Sequence, residues 1–372
     1  MSRRHAIHWF LLGSLVAVLL PDGATAQQDW QQEWVDTLAK AKGQPLALTV
    51  HGIEGHEAVV REFQKRFPDI KVELTVSNPS IIAPRIVTEQ RNGIFAWDSW
   101  WAATANMNNI VLPAGGLDRI SDYLVLPEVK DPSNWRAPDY LYTSDKGPYV
   151  FVHTYYVEAT VYRNKDVVRA LDFRDLDQFL DRRLKGQIAI RDPSRPNSGT
   201  FALAGLAKVK GLDFLRRLFT EMDPAVIDNP RQLTDTIIRG DKAVIIGAQP
   251  DLIARCHLAG GCRNVERMTS GQYVFLRGVS VLKNAPHREA TKVWVNWLLS
   301  REGQETYVRE WAKSNDIGAL SLRKDVKAHP SHEGAAPDYD RMGNYLLAGA
   351  DSGEQHLAAV IKLYTEIKNR SR

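Results

Sequence analysis

The 372-residue chain carries a formal net charge of +4 and is 44% hydrophobic. That balance fits a globular protein, and the absence of a long Lys/Arg block excludes a dedicated polyanion-binding arm, so no nucleic-acid partner is expected. The length suffices for two lobes with separate cores.

Arg3 and Arg4 precede an apolar run from Ile7 to Leu20, and Ala24-Thr25-Ala26 supplies a small-x-small site. This is the pattern of a signal peptide over residues 1–26, cut after Ala26. The run is broken by His8 and ends at Pro21, short of the ~20 apolar residues a spanning helix needs. Cleavage removes Arg3, Arg4 and Asp22 and leaves a formal charge of +3.

After a Gln- and Trp-rich helical lead-in, strand and helix patterns alternate, which predicts an α/β fold with a largely parallel sheet. Leu46 to Val50 reads as a strand. From His56 the residues Val59, Val60, Phe63 and Phe67 recur at helical spacing until Pro68, and Ile70, Val72, Leu74 and Val76 alternate as a second strand. A helical stretch over Pro84 to Asn92 leads to a third strand near Phe95 to Trp101. Residues 113–148 read as surface connections. The run Tyr149 to Tyr162 is long, extended and almost uncharged, a candidate crossing between lobes. Gly186 to Ile190 is a strand and Thr200 to Val209 a helix. Asn229-Pro230 starts another helix that stops at Gly240, and Ala243 to Ile246 is a buried strand. Tyr273 to Leu282 is a second crossing, followed by helices over Arg288 to Leu299 and Arg301 to Trp311.

In open α/β sheets ligands sit beyond the carboxyl ends of strands, where helix amino termini offer free amides. Three loops have that placement. Glu54, Gly55 and His56 follow the first strand and open a helix. Ser198, Gly199 and Thr200 present hydroxyls and amides suited to a phosphate, phosphonate or carboxylate, and a plain helix cap would use the same residue types. Trp101, Ala103 and Thr104 end the third strand; alternation sends Trp100 and Trp101 to opposite faces, so at least one belongs to the core. No Gly-x-Ser-x-Gly elbow, P-loop or His-Glu-x-x-His motif occurs. Cys256 and Cys262, in Cys-His-Leu-Ala-Gly-Gly-Cys, suit a local disulfide in an oxidising compartment. A metal site or free thiols are the alternatives, and the spacing matches no standard zinc pattern.

Several segments resemble the ferric, thiamine, polyamine and phosphonate branch of periplasmic solute-binding proteins, over roughly residues 43–327. They are Leu48-Thr-Val-His-Gly-Ile-Glu-Gly-His56, Asp98-Ser-Trp-Trp-Ala-Ala103, Val161-Tyr-Arg-Asn-Lys-Asp166, Gly186-Gln-Ile-Ala-Ile-Arg-Asp-Pro193 with Ser198-Gly-Thr200, and, most specifically, Ser280 to Gln304. The resemblance implies a type II periplasmic-binding-protein fold, two α/β lobes joined by a two-strand hinge. Lobe 1 would comprise residues 27–152 plus 278–372 with the C-terminal helices, and lobe 2 residues 153–277. It implies a monomer in the periplasm, without cofactor or catalysis, that hands a small solute to an inner-membrane ABC permease, and the helix amino termini favour an anionic one. Tyr155 near the hinge and Gln249 from the second lobe would join the loop residues at the ligand. The family's ferric members carry a Tyr-Tyr pair after the strand that here ends in Gly247-Ala-Gln-Pro-Asp251, and this chain has none there. His56 stands where their iron histidine would, but Ala102-Ala103 replaces the acidic partner, so no metal ligand is assigned. A ferric-ion carrier, a ligand sensor for a membrane kinase and a thiaminase-like enzyme using a cysteine are the rival readings.

Overall fold

The computed structural model describes residues 23–51, 54–143, 147–157, 161–169, 171, 175–248, 252–253, 256–257, 259–268, 273–313, 318–330, 336–347 and 351–370. Its strands form two sheets. The first holds β1 (Pro45–Val50), β2 (Lys71–Val76), β3 (Ser99–Ala103), β4 (Leu117–Asp118), β5 (Val150–Val157), β11 (Tyr273–Leu282) and β12 (Leu346–Leu347). The second holds β6 (Val161–Asn164), β7 (Ile188–Ile190), β8 (Ala225–Val226), β9 (Val244–Ile246) and β10 (Val265–Arg267). Helices α1 (Gly23–Ala41), α2 (Glu54–Arg66), α3 (Pro79–Arg91), α4 (Pro127–Lys130), α5 (Ser198–Lys210), α6 (Leu212–Glu221), α7 (Pro230–Ile238), α8 (Arg288–Leu299), α9 (Arg301–Trp311) and α10 (Asp351–Arg370) cover them. This is the mixed α/β architecture with two sheets that the sequence predicts.

β1 runs parallel to β2 and β3. β11 is antiparallel to β3 on one edge and to β5 on the other, with a register shift between Arg277 and Gly278. Both tryptophans of β3 are buried, on opposite faces. Trp100 falls in one apolar cluster with Ile82 and Ile86 of α3, and Trp101 meets Trp294 of α8 (5.8 Å), which in turn packs edge-on against Phe63 of α2 (5.1 Å). α3 starts earlier than its periodicity suggests, because Asn78 caps it through Ser80 N (2.9 Å) and Pro79 occupies the first turn.

The strands β5–β6 and β10–β11 connect the halves, as expected of a two-strand hinge. The boundaries drawn at 152/153 and 277/278 fall inside β5 and β11, both of which stay in the first sheet to their ends. A third connection, Leu347 to Asp351, takes α10 back to the second half, where it packs on α5 and α6, with Phe219 and Tyr364 in edge contact at 5.3 Å. The C-terminal helix assigned to the first lobe therefore lies on the second. Its apolar face decides this, since Leu357, Val360, Leu363 and Tyr364 are buried there.

Asp98 ties the first half together. Fully buried, it accepts hydrogen bonds from Ala47 N (2.8 Å) and His287 Nδ1 (2.9 Å) at one oxygen and from His287 N (2.8 Å) at the other. Its backbone exchanges bonds with Ala47 and Leu282. Through its carboxylate Asp98 joins β1 and the approach to α8, and through its backbone carbonyl it holds the end of β11. Asp98→Ala strands buried donors, and chemical denaturation should show a loss of ~3 kcal/mol, whereas His287→Ala, with a partly exposed ring, should cost ~1 kcal/mol. Equal losses for both would contradict this account.

Candidate functional site

The carboxyl ends of β1 and β3 converge on the amino terminus of α2. There Gly55 is required by packing, because a Cβ would lie 2.5 Å from Cε3 of Trp311 in α9. His56, with no exposed surface, sits edge-on to Trp101 (centroids 4.4 Å) and Trp311 (4.6 Å), with His51 at 6.4 Å. Neither ring nitrogen has a hydrogen-bond partner of normal geometry. Burial, then Arg277, His51 and His153, hold its pKa well below the usual histidine value, opposed by the His51 backbone. The imidazole is neutral.

A hydrogen-bonded chain lies beneath it. Trp101 Nε1 donates to His153 Nε2 (2.8 Å), which leaves His153 Nδ1 to donate to Thr154 Oγ1 (3.1 Å), and that hydroxyl donates to Leu320 O (2.7 Å). Burial first, and Arg277 second, push His153 down to about 3, against a raising effect of Gln304.

Arg277, only 2% exposed, stands on the same face of β11 as its cross-strand partner Ala103. Its guanidinium lies 4.2 Å over the Trp311 ring and 5.0 Å from that of Tyr156, whose hydroxyl receives Nη2 at 3.2 Å. Tyr156 stacks on Phe275 (5.7 Å). Phe275 and Tyr273 in turn meet Phe201, from the first turn of α5, at 5.4 and 5.1 Å. An aromatic strip thus runs along the hinge strand from the second half to Arg277.

The structure redistributes the sequence-derived candidates. His56, Trp101, Ala103 and Arg277 share one sheet face, but Trp101 is 1% exposed with its indole N–H committed to His153, so it supports the site from below. Thr104 lies on the opposite face, its Cγ2 within 2.9 Å of where a Cβ on Gly278 would be, beside Val150. Tyr155 belongs to the core. Its hydroxyl donates to Tyr140 O and burial pushes its pKa up, while alternation gives Tyr156 the position expected of Tyr155. Ser198, Gly199 and Thr200 do open α5, but Asn197 Oδ1 already takes the amides of Gly199 (2.9 Å) and Thr200 (3.2 Å). The Thr200 hydroxyl donates to Arg195 O (2.7 Å), and that of Ser198 to Gly247 O (3.1 Å). The cap reading of that motif accounts for these groups. Glu54 opens α2, and Gln249 lies outside the described residues. The sulfurs of Cys256 and Cys262 are bonded, with Cα atoms 5.8 Å apart. Among the described residues, no group of three or more His, Cys, Asp or Glu is placed to hold a metal.

Sequence reasoning passed over Arg277, His153 and Trp311. One signal was available for Arg277, the single charge in the ten residues of β11. Since His56 and His153 are neutral in the fold and protonate near the usual value when unfolded, the unfolded state binds more protons as pH falls below ~6.5. Stability is complete above that pH and declines as pH falls, for His153 until about 3 and for His56 in the same direction, by up to ~1.4 kcal/mol per pH unit for each histidine. His153→Asn should flatten the fall of the melting temperature between pH 6.5 and 4; an unchanged slope would show that His153 does not contribute.

Comparison with known proteins agrees with this architecture. The model of a family described as bacterial extracellular solute-binding protein matches residues 58–337. An uncharacterized protein of Haemophilus influenzae is 27% identical over 192 residues, 50% of this chain and 53% of the relative, so the chain spans about half the length of the curated relative it matches. Iron-bound HitA of Pseudomonas aeruginosa superposes with a TM-score of 0.58 at 17% identity, over 87% of this chain and 99% of that one. FutA (IdiA) of Trichodesmium, in complex with iron and citrate, gives 0.61 at 17% over the same shares. AfuA of Actinobacillus pleuropneumoniae, with fructose-6-phosphate bound, gives 0.53 at 21%, again over 87% and 99%. At such identities the likeness to these structures is one of fold, that of periplasmic binding proteins. With the family model spanning both halves, the chain belongs to the bacterial extracellular solute-binding proteins.

Proposed function

We propose that this protein captures a small anionic solute between its two halves and delivers it to an inner-membrane ABC permease. It does so as a monomer in the periplasm, after removal of residues 1–26, and without a catalytic step or cofactor. The observation that carries the reading is the convergence of two strand ends, the α2 amino terminus and the hinge strand β11 on one buried cluster whose histidines are neutral. A helix amino terminus favours negative charge, and a hinge beside it lets the halves close on what it holds. No helix among the described residues is long and apolar enough to cross a membrane, which fits an exported chain.

Iron is the weaker alternative. HitA and FutA are the iron-bound neighbours, yet in this chain the Tyr155 and Tyr156 hydroxyls are engaged by Tyr140 O and Arg277. A thiaminase-like reaction needs a thiolate, and Cys256 and Cys262 are bonded to each other.

X-ray scattering from the mature protein should show the radius of gyration fall on addition of an anionic solute that also raises the melting temperature. Saturation at a hundred times the dissociation constant stabilises the fold by ~2.7 kcal/mol. A response to Fe(III) alone would sink the anionic reading. Thiol titration of the unfolded protein should find no reactive sulfhydryl before reduction and two after it; two before reduction would reopen the cysteine chemistry.

A further inference from the structure

We propose that Lys208 is a latch between the two halves: carried on α5 of the second half, its ammonium grips the stretch of chain that leads into β12 of the first sheet, and so restrains the angle at which the halves stand before solute arrives. The restraint belongs to the protein alone; its consequence for affinity rests on the capture reading.

Lys208 Nζ donates to Gly343 O (2.9 Å) and Tyr345 O (2.6 Å). Both carbonyls lie just before β12, in a stretch fastened to the first half. β12 pairs with β11 at Tyr273 and Val274. The Arg136 guanidinium lies 5.8 Å from the Tyr339 ring centroid, and it also donates to the carbonyls of Ser321 (3.2 Å) and Arg323. Phe201 stands two turns before Lys208 on the same face of α5, and its ring meets Tyr273 and Phe275 of β11 at 5.1 and 5.4 Å. α5 thus touches the first half at two places ~10 Å apart along its axis. One contact would let the helix swivel about it, and the second removes that freedom. The return path leaves little slack, because a Cβ on Gly353, in the first turn of α10, would lie 2.6 Å from Leu347 O at the end of β12.

The chemistry of the contact points the same way. Lys208 is half-buried and burial lowers its pKa, so an ammonium here costs desolvation energy that an apolar side chain of similar length would avoid. Among the described residues it meets no carboxylate, whereas Lys210 on the same helix pairs with Asp177 (2.8 Å) inside the second half. Neutral carbonyls hold a cation less firmly than a carboxylate does, which suits a contact that opens and re-forms as the halves move.

The test is pulsed dipolar electron paramagnetic resonance on the mature, solute-free protein, with nitroxides at Ile81→Cys on α3 and Arg216→Cys on α6, both exposed positions. Lys208→Met and Lys208→Gln should broaden the distribution of interspin distances by roughly 1.5-fold or more, as more angles become populated. Lys208→Arg, which keeps a cationic donor, and Lys210→Met, which removes the neighbouring lysine, should leave the wild-type width. Circular dichroism establishes that each variant folds, and if Lys208→Met does not, Lys208→Gln carries the test. An unchanged width in the folded Lys208 variants, or equal broadening by Lys210→Met, would overturn the latch. Isothermal titration then uses whichever of orthophosphate, fructose 6-phosphate, citrate and Fe(III) stabilises the wild type. The broadened variants should bind that probe roughly 3- to 10-fold more weakly, because the competent angle is a smaller fraction of their ensemble. Unchanged affinity in a broadened variant would remove the latch from capture. If the widths respond as stated and no solute of any class binds, the latch stands and the capture reading falls.

Discussion

A strand hydrogen-bonded along both edges has little freedom to slide, and β11 is in that position. It meets β3 and β4, β5 and β12 along its ten residues, and so fixes the first sheet from the hinge to the start of α8. Because side chains alternate along it, Tyr273, Phe275, Arg277 and Val279 share one face and are committed together. The far end of this strand is held by Asp98, whose carboxylate joins Ala47 and His287. The position of Arg277 is thus set by backbone pairing on a rigid sheet, which is where a group must sit if its aim is to be reproducible.

The two helix amino termini flagged by the sequence have different fates. α5 is closed by its own preceding residue, Asn197, while the start of α2 is pressed against Trp311 next to a histidine without bonds. A capping side chain and a bound anion satisfy the same amides. Sequence alone therefore cannot separate them unless the cap residue is weighed as carefully as the loop behind it, and Asn197 directly before Ser198 was the sign of a closed end.

Much of the fold was legible. The strand Tyr273–Leu282 and the helices Arg288–Leu299 and Arg301–Trp311 appear with the boundaries their patterns predict, because apolar periodicity and flanking breakers agree there. The family-like segment Ser280 to Gln304 also gains a physical reason, since it carries the histidine that clamps Asp98 and the Gln304 side chain that donates to Leu298 O. The site was less legible for a topological reason. Trp311, Tyr156, His153 and Arg277 come from distant stretches of chain and meet only through strand register, while the residues singled out were those whose local turn chemistry was visible. Tyr155 and Tyr156 show the limit sharply: one residue of phase decides which phenol meets Arg277.

The path of the chain's ends has a practical outcome. From Asp29 onward α1 lies against α8 on the first half, with Lys292 3.5 Å from Glu33, whereas α10 finishes on the second half, with Lys368 3.7 Å from Asp192. α1 and α10 therefore ride on different halves, and a donor dye on one helix with an acceptor on the other converts any change in the angle between the halves into an optical signal without a label inside either core.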